Sequence, residues 1–170
     1  MSVIPTPHPS CTIRHASPKD STLIVDFMKE LGTFQKMADK ITATPKSIER
    51  LLESGGGEAV FISYDEVDIG FAYFYQKSSA FTGRSGLYLD ALFIRHSQRG
   101  QGIGNIMMQF LAKHALSKGC EFLEWGCLDW NTPAIDFYQK QGAYCIDNMR
   151  IYRLSPDDLE NQANLFQSQS

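Results

Sequence analysis

Leu87-Tyr88-Leu89-Asp90-Ala91-Leu92-Phe93-Ile94-Arg95-His96-Ser97-Gln98-Arg99-Gly100-Gln101-Gly102-Ile103-Gly104-Asn105 is the stretch whose reading decides the fold. Leu87 to Ile94 is apolar except for Asp90 and reads as a buried central strand. A polar turn then leads into three glycines and a helix over about Gly104 to Lys118. Gly100, Gly102 and Gly104 remove side chains where the backbone turns. Several N–H groups can therefore converge on an anion at a helix start, whose dipole also favours negative charge. The loop reads either as a pyrophosphate cradle or as an ordinary glycine turn.

Two nucleotide readings fail on the residues themselves. A mononucleotide P-loop needs Gly-Lys-Ser/Thr, but Gly104 is followed by Asn105 and Ile106. The dinucleotide fingerprint needs glycine at position 105 and a second mononucleotide half, for which too little chain remains.

Working outward, the neighbouring segments describe a mixed α/β plan in the order β, α, α, β, β, β, α, β, α, β, β. Cys11 to His15 reads as a first strand, and Ser17-Pro18-Lys19-Asp20 as a helix start whose helix Gly32 ends. Thr44-Pro45 starts a second helix that Gly55-Gly56-Gly57 stops. Ala59 to Tyr64 and Ile69 to Tyr75, joined through Asp65-Glu66, read as an antiparallel hairpin, and Gln76 to Gly86 as a polar loop. On the long helix Ile103, Ile106, Met107, Phe110, Leu111 and Ala115 share one face. Glu121 to Leu128 reads as a buried strand, and Asn131-Thr132-Pro133 as a helix start closed by Gly142. Ala143 to Ile146 and Met149 to Leu154 read as a last strand pair. The expected organisation is a flexible leader over 1–10, one domain over 11–154, and a tail over 155–170 that is a short helix or frayed.

With 170 residues and 43% hydrophobic content, the chain is long enough for one well-packed core. A net charge of −3 gives no diffuse basic surface, so neither nucleic acid nor an anionic membrane is expected as partner. Cys11, Cys120, Cys127 and Cys145 show no C-x-x-C spacing and read as free thiols of a reduced compartment, which with the absence of an apolar leader or span points to the cytoplasm. His8, His15, His96 and His114 have no metal-ligand spacing, and no metal is expected.

Arg99-x-x-Gly102-x-Gly104, set between a strand and a helix, resembles the acetyl-CoA pyrophosphate loop of the GCN5-related N-acetyltransferases (GNAT). The resemblance runs from about Thr12 to Leu154. Its second piece is Trp130-Asn131-Thr132-Pro133-Ala134-Ile135-Asp136-Phe137-Tyr138 through Gly142-Ala143. Lys29-Glu30-Leu31, Phe71-Ala72-Tyr73, Leu87-Tyr88-Leu89 and Trp130-Asn131 are similar to the diamine (spermidine/spermine) and thialysine acetyltransferase branch.

The resemblance implies the GNAT fold, a mixed, mostly antiparallel twisted sheet flanked by helices and splayed between its two central strands. It also implies acetyl-CoA as co-substrate, a small-molecule amine as acceptor, and a homodimer. Backbone at Leu92, Phe93 and Ile94 would hold the pantetheine and polarise the carbonyl. Arg99, Gly100, Gln101, Gly102, Ile103 and Gly104 would take the pyrophosphate, and Asn131 would cap its helix or touch the cofactor. Tyr138 matches the tyrosine that protonates the departing thiolate, the alternative being a core aromatic at helical spacing from Ile135. Asp90 stands where the branch has a glutamate that handles the incoming ammonium. An amine of pKa ~10 must lose a proton before attack, and aspartate, one methylene shorter, suggests a water relay; the plainer reading is a solvated carboxylate.

Two departures bear on the acceptor. Phe34-Gln35 replaces an aromatic followed by an acid, and an acidic pair is reduced to Asp90-Ala91. Negative charge is lost at both places, which weakens the case for spermidine itself and leaves the acceptor as either a polyamine-like amine or a smaller primary amine, such as an amino-acid side chain or α-amino group. Acetylation of a peptide or protein amine, or an acyl-CoA sensor without turnover, are the competing readings.

Overall fold

Among the described residues six strands form one sheet, in which their spatial order is the same as their order along the chain. The computed structural model describes residues 3–167. The chain divides into two compact units, Met1–Gly126 and Cys127–Ser170.

In the first unit, β1 (Val3–Pro5), β2 (Cys11–His15), β3 (Glu58–Tyr64), β4 (Val67–Ser79) and β5 (Arg84–Ile94) pair antiparallel, and β6 (Leu123–Trp125) lies parallel to β5. The β3–β4 hairpin turns where the sequence places it, with Asp65 and Glu66 both at positive φ, as a two-residue hairpin turn requires. Helix α1 (Ser21–Phe34) follows one turn of 3-10 helix at Pro18–Asp20, and α2 (Pro45–Glu53) is capped by Thr44, whose hydroxyl accepts from Ser47 N–H. Both helices pack on one face of the sheet, where Ile24, Phe27, Leu31 and Ile48 meet Phe61, Phe71, Ala91 and Phe93. Phe27 is fully buried and stacks on Phe71 at 5.4 Å. Each such ring contributes about 2–3 kcal/mol by burial. Helix α3 (Ile103–Ser117) lies on the other face, with His114 edge-on to Phe74.

In this unit four expectations need correction. Val3–Pro5, within the expected leader, is an edge strand on β2. Gly32 does not end α1. It is buried inside the helix, where a Cβ would come within 2.7 Å of Ile41, so its small size serves packing. The expected loop Gln76 to Gly86 is instead the outer part of the β4–β5 hairpin, paired out to Ser79 and Arg84. Its polar residues give no apolar contrast for a sequence reading to detect. The expected strand over Glu121 to Leu128 shortens to the three residues of β6.

In the second unit, α4 (Thr132–Lys140) begins after Asn131, and Gly142, at φ 84°, ends its turn. Helix α5 (Pro156–Gln167) is capped by Ser155, whose hydroxyl accepts from Asp158 N–H. The expected last strand pair does not form: Ala143 to Ile146 and Met149 to Leu154 carry no strand, and Tyr144, Ile151 and Tyr152 are exposed. Among the described residues of this unit there is no strand to extend, and a lone two-stranded pair is marginal in water.

Candidate active site

The candidate site begins where β5 changes its pairing. From Leu87 to Leu89 it pairs with β4 on one side and with Leu123 to Trp125 of β6 on the other. The β6 ladder ends at Leu89, and from Ala91 to Ile94 β4 is the only strand among the described residues that continues beside it. The register shifts at the same point. Tyr73 stands opposite Ala91 and Phe74 opposite Leu89, which makes Asp90 the inserted residue of a β-bulge. A bulge re-aims a side chain and interrupts a ladder, and it places the one acid of the apolar strand at the start of the half-paired segment. Asp90 is exposed, and its charge reaches the phenols of Tyr73 and Tyr75, both pushed up first by burial and then by neighbouring groups including Asp90.

Phe93 and Ile94 are buried. Arg95 N–H donates to the Ile69 carbonyl, so by the alternation of an antiparallel ladder Phe93 spends its backbone on β4, whereas Leu92 and Ile94 turn theirs to the open edge, where the Ile94 carbonyl accepts from Arg99 Nε at 2.9 Å. Leu92 is half-buried on the same edge.

After a 3-10 turn at His96–Gln98, the glycine loop divides into two kinds of position. Gly100 and Gly102 have φ of 79° and 78°, with open space where a Cβ would stand, so the turn itself requires glycine there. Gly104 lies inside α3 as an ordinary helical residue, which corrects its expected role as a turn glycine. The first helical hydrogen bond runs from Ile106 N–H to the Gly102 carbonyl, 3.1 Å away. The Ile103 and Gly104 amides ahead of it point out of the helix start and suit an anion. Ile103 is 1% exposed, its side chain anchoring the loop in the core, while Gln101 is exposed.

Arg99 does not lie out over solvent. Its guanidinium sits 4.3 Å above the Phe34 ring and 5.5 Å from Phe93, and burial pulls its pKa down from the ordinary value. The structure thus brings together a residue expected at the cofactor loop and one expected on the acceptor side, in a groove of about 540 Å³ lined by Glu30, Phe34, Phe93, Arg95 and Arg99. Gln35, the residue after α1, donates its N–H to the Leu31 carbonyl. Arg95 was not singled out by sequence. It binds Glu30 through Nε and Nη2, donates from Nη1 to the Asp68 carbonyl, and lies over the Phe27 ring. This clamps the end of β5 to α1.

In the second unit, Tyr138 contacts Phe137 with ring centroids 5.3 Å apart. Burial, with a smaller contribution from Cys127, pushes its phenol up to about 12, so it is protonated throughout the neutral range. Asn131 occupies the cap position of α4 without a side-chain capping hydrogen bond, which corrects the capping half of its expected role. Among the described residues no three or more His, Cys, Asp or Glu gather as a metal site, and no helix is long and apolar enough to cross a membrane.

The family described as acetyltransferase (GNAT) family matches residues 25–143. Over 147 residues the chain is 32% identical to the thialysine N-epsilon-acetyltransferase of Sus scrofa, a match covering 79% of this chain and 84% of that protein. Over 96 residues it is 34% identical to the L-ornithine N5-acetyltransferase of Arabidopsis thaliana, covering 56% of this chain and less than half, 42%, of that relative. The solved structure of an integron cassette protein from the mobile metagenome of V. cholerae superposes with a TM-score of 0.75 at 26% identity, over 91% of this chain and 98% of that one.

Proposed function

The chain belongs to the acetyltransferase (GNAT) family, and from that premise we propose that it transfers acetyl from acetyl-CoA to a primary amine of a small molecule by direct attack in a ternary complex. One observation carries the reading: the half-paired end of β5, headed by the bulged Asp90, runs into a loop whose Gly100 and Gly102 turn the backbone toward the start of α3. These residues fit acetyl-CoA. A strand edge without a neighbour can pair with an extended amide-bearing arm, and amides at a helix start can hold a pyrophosphate.

When bound, acetyl-CoA supplies an acetyl group on a thioester and leaves as a thiolate. Leu92 and Ile94 orient that arm through the backbone they turn away from β4, and an N–H on this edge polarises the carbonyl that the amine attacks. Arg99, Gly100, Gln101, Gly102, Ile103 and Gly104 hold the pyrophosphate, Arg99 after exchanging its stack on Phe34 for the anion. Asp90 takes a proton from the incoming ammonium, directly or through water, so that nitrogen has a free electron pair for the new C–N bond. By resemblance, Tyr138 is assigned to donate a hydrogen bond to the departing sulfur, and then its proton, as the C–S bond breaks. Burial keeps that phenol protonated through the neutral range, so its proton is available to the leaving group. Asn131 is assigned to the cofactor, and the homodimer is assigned, by resemblance; the cytoplasmic location rests on the cysteines reading as free thiols.

The relatives' named acceptors, thialysine and L-ornithine, are amino acids with a side-chain amine. With Gln35 and Ala91 standing where the polyamine branch has acids, that class is the proposed acceptor. Thiol release from acetyl-CoA with a panel of amino acids, diamines and peptides tests the proposal. Turnover with small side-chain amines is expected, and tight acetyl-CoA binding without turnover on any amine would replace the enzyme with a sensor.

A further inference from the structure

A second group of side chains lies on the same strands, two residues before the bulge. Tyr75 and Tyr88 stand opposite each other in the β4–β5 ladder, with ring centroids 5.2 Å apart. Glu124 is opposite Tyr88 on the other side, in the parallel ladder with β6. Lys77, two residues beyond Tyr75 and therefore on the same face, reaches Glu124 Oε1 at 2.8 Å, its Nζ 5.7 Å from the Tyr88 ring. The Tyr75 phenol registers the whole group: burial and the charges of Tyr88, Asp90 and Glu124 push it up, and Lys77 opposes them. The two tyrosines form a shelf with Asp90 beyond one end and a cation–carboxylate pair at the other.

We propose that this shelf and the Lys77–Glu124 pair are the subsite for the far end of the acceptor, selecting an α-amino acid whose side-chain amine reaches Asp90. The inference rests on the acetyltransfer reading above and names the residues that set its specificity. Three observations carry it. Asp90 and Tyr88 are two residues apart on one strand, about 7 Å, comparable with an extended side chain of ornithine or lysine length. The aliphatic chain and its ammonium suit a tyrosine shelf, which offers apolar area and negative ring faces together.

The third observation is the pair itself. An amino acid's α-carboxylate and α-ammonium match Lys77 and Glu124 in charge, and the pair's side chains are 44% and 33% exposed. A partly exposed pair contributes about 1 kcal/mol at most, so opening it to receive both ends of a zwitterion costs little. A diamine of the same length brings a second ammonium but nothing for Lys77, which repels it.

The test compares L-ornithine with putrescine, the diamine that lacks only its carboxyl group, by thiol release from acetyl-CoA. Wild-type protein should prefer ornithine. Lys77→Met should raise the KM for ornithine about fivefold and lower that for putrescine, because Glu124 is released to accept the second ammonium, shifting the preference ratio about tenfold with kcat little changed. Glu124→Gln should raise KM for both. Loss of general packing would move both acceptors in the same direction in Lys77→Met and would not cross the preference. Turnover of both amines with the ratio unmoved in Lys77→Met would overturn the subsite while leaving acetyltransfer standing. Failure of the wild type on every amine would overturn the acetyltransfer reading, and the subsite with it.

Discussion

From Leu87 to Leu89, β5 is held on both sides, by β4 and by β6; from Ala91 to Ile94 it is held by β4 alone. Both halves carry large apolar side chains, and Leu87, Leu89, Phe93 and Ile94 are all buried. What separates them is backbone pairing, not side-chain hydrophobicity. The first half spends its backbone on the sheet. The second, set off by the Asp90 bulge, keeps one edge for something other than a strand. The same division holds among the glycines: Gly86, just ahead of the first half, is buried against the Phe122 ring, whereas Gly100 and Gly102, beyond the second, border open space.

Substitutions should therefore separate folding from chemistry according to the half they touch. The largest effect is expected from Asp90→Asn: kcat/KM falls about a hundredfold, more at low pH, where more of the amine is protonated, with a melting temperature close to wild type. Equal loss at every pH would remove Asp90 from proton handling. Gly86→Ala works in the opposite sense. Its methyl overlaps the Phe122 ring, so stability falls by about 1–3 kcal/mol in a denaturant titration while the molecules that remain folded keep their activity. Gly102→Ala must hold a left-handed backbone at a cost of about 1 kcal/mol, so acetyl-CoA binding measured by calorimetry weakens about fivefold or more.

The smallest effect belongs to scaffold remote from β5. His114 Nε2, 3.4 Å away, and Lys118 hold the Glu58 carboxyl down to about 2 from its ordinary 4.5, against the opposing effect of burial. A depressed carboxylate stabilises the fold above its unfolded value, and that contribution is lost as pH falls from 4.5 toward 2. Glu58→Gln should cost about 1 kcal/mol or less at neutral pH and flatten the loss of stability across that acid range, with activity near wild type.

Much of this architecture was legible in sequence because the elements that pack carry apolar periodicity and explicit start signals. Cys11 to His15, the Thr44 cap, the Asp65-Glu66 turn and the apolar face of α3 all formed where those signals stand. Where a strand is polar on its outer part, as at Gln76 to Ser79, backbone pairing alone makes it a strand and no side-chain pattern announces it. Reading that stretch as a loop also concealed Lys77, and with it the shelf. The reverse error came at Met149 to Leu154, where apolar residues suggested a strand but no ladder formed.

Asp90 was noticed because it interrupts an apolar run, yet its status as an inserted residue depends on cross-strand register, which one strand's sequence does not contain. The stack of Arg99 on Phe34 joins residues 65 positions apart and left no local trace. The glycine loop was legible as a cradle, but only the backbone separates the glycines that turn it, Gly100 and Gly102, from Gly104, which simply continues the helix.

Amide hydrogen exchange, with and without coenzyme A, compares the two halves of β5 within one molecule. The account predicts that coenzyme A slows exchange across Leu92 to Ile94 and Gly100 to Gly104 and leaves Leu87 to Leu89 unchanged. Coenzyme A binding that protects neither the open edge nor the glycine loop, or that protects both halves of the strand alike, would contradict it.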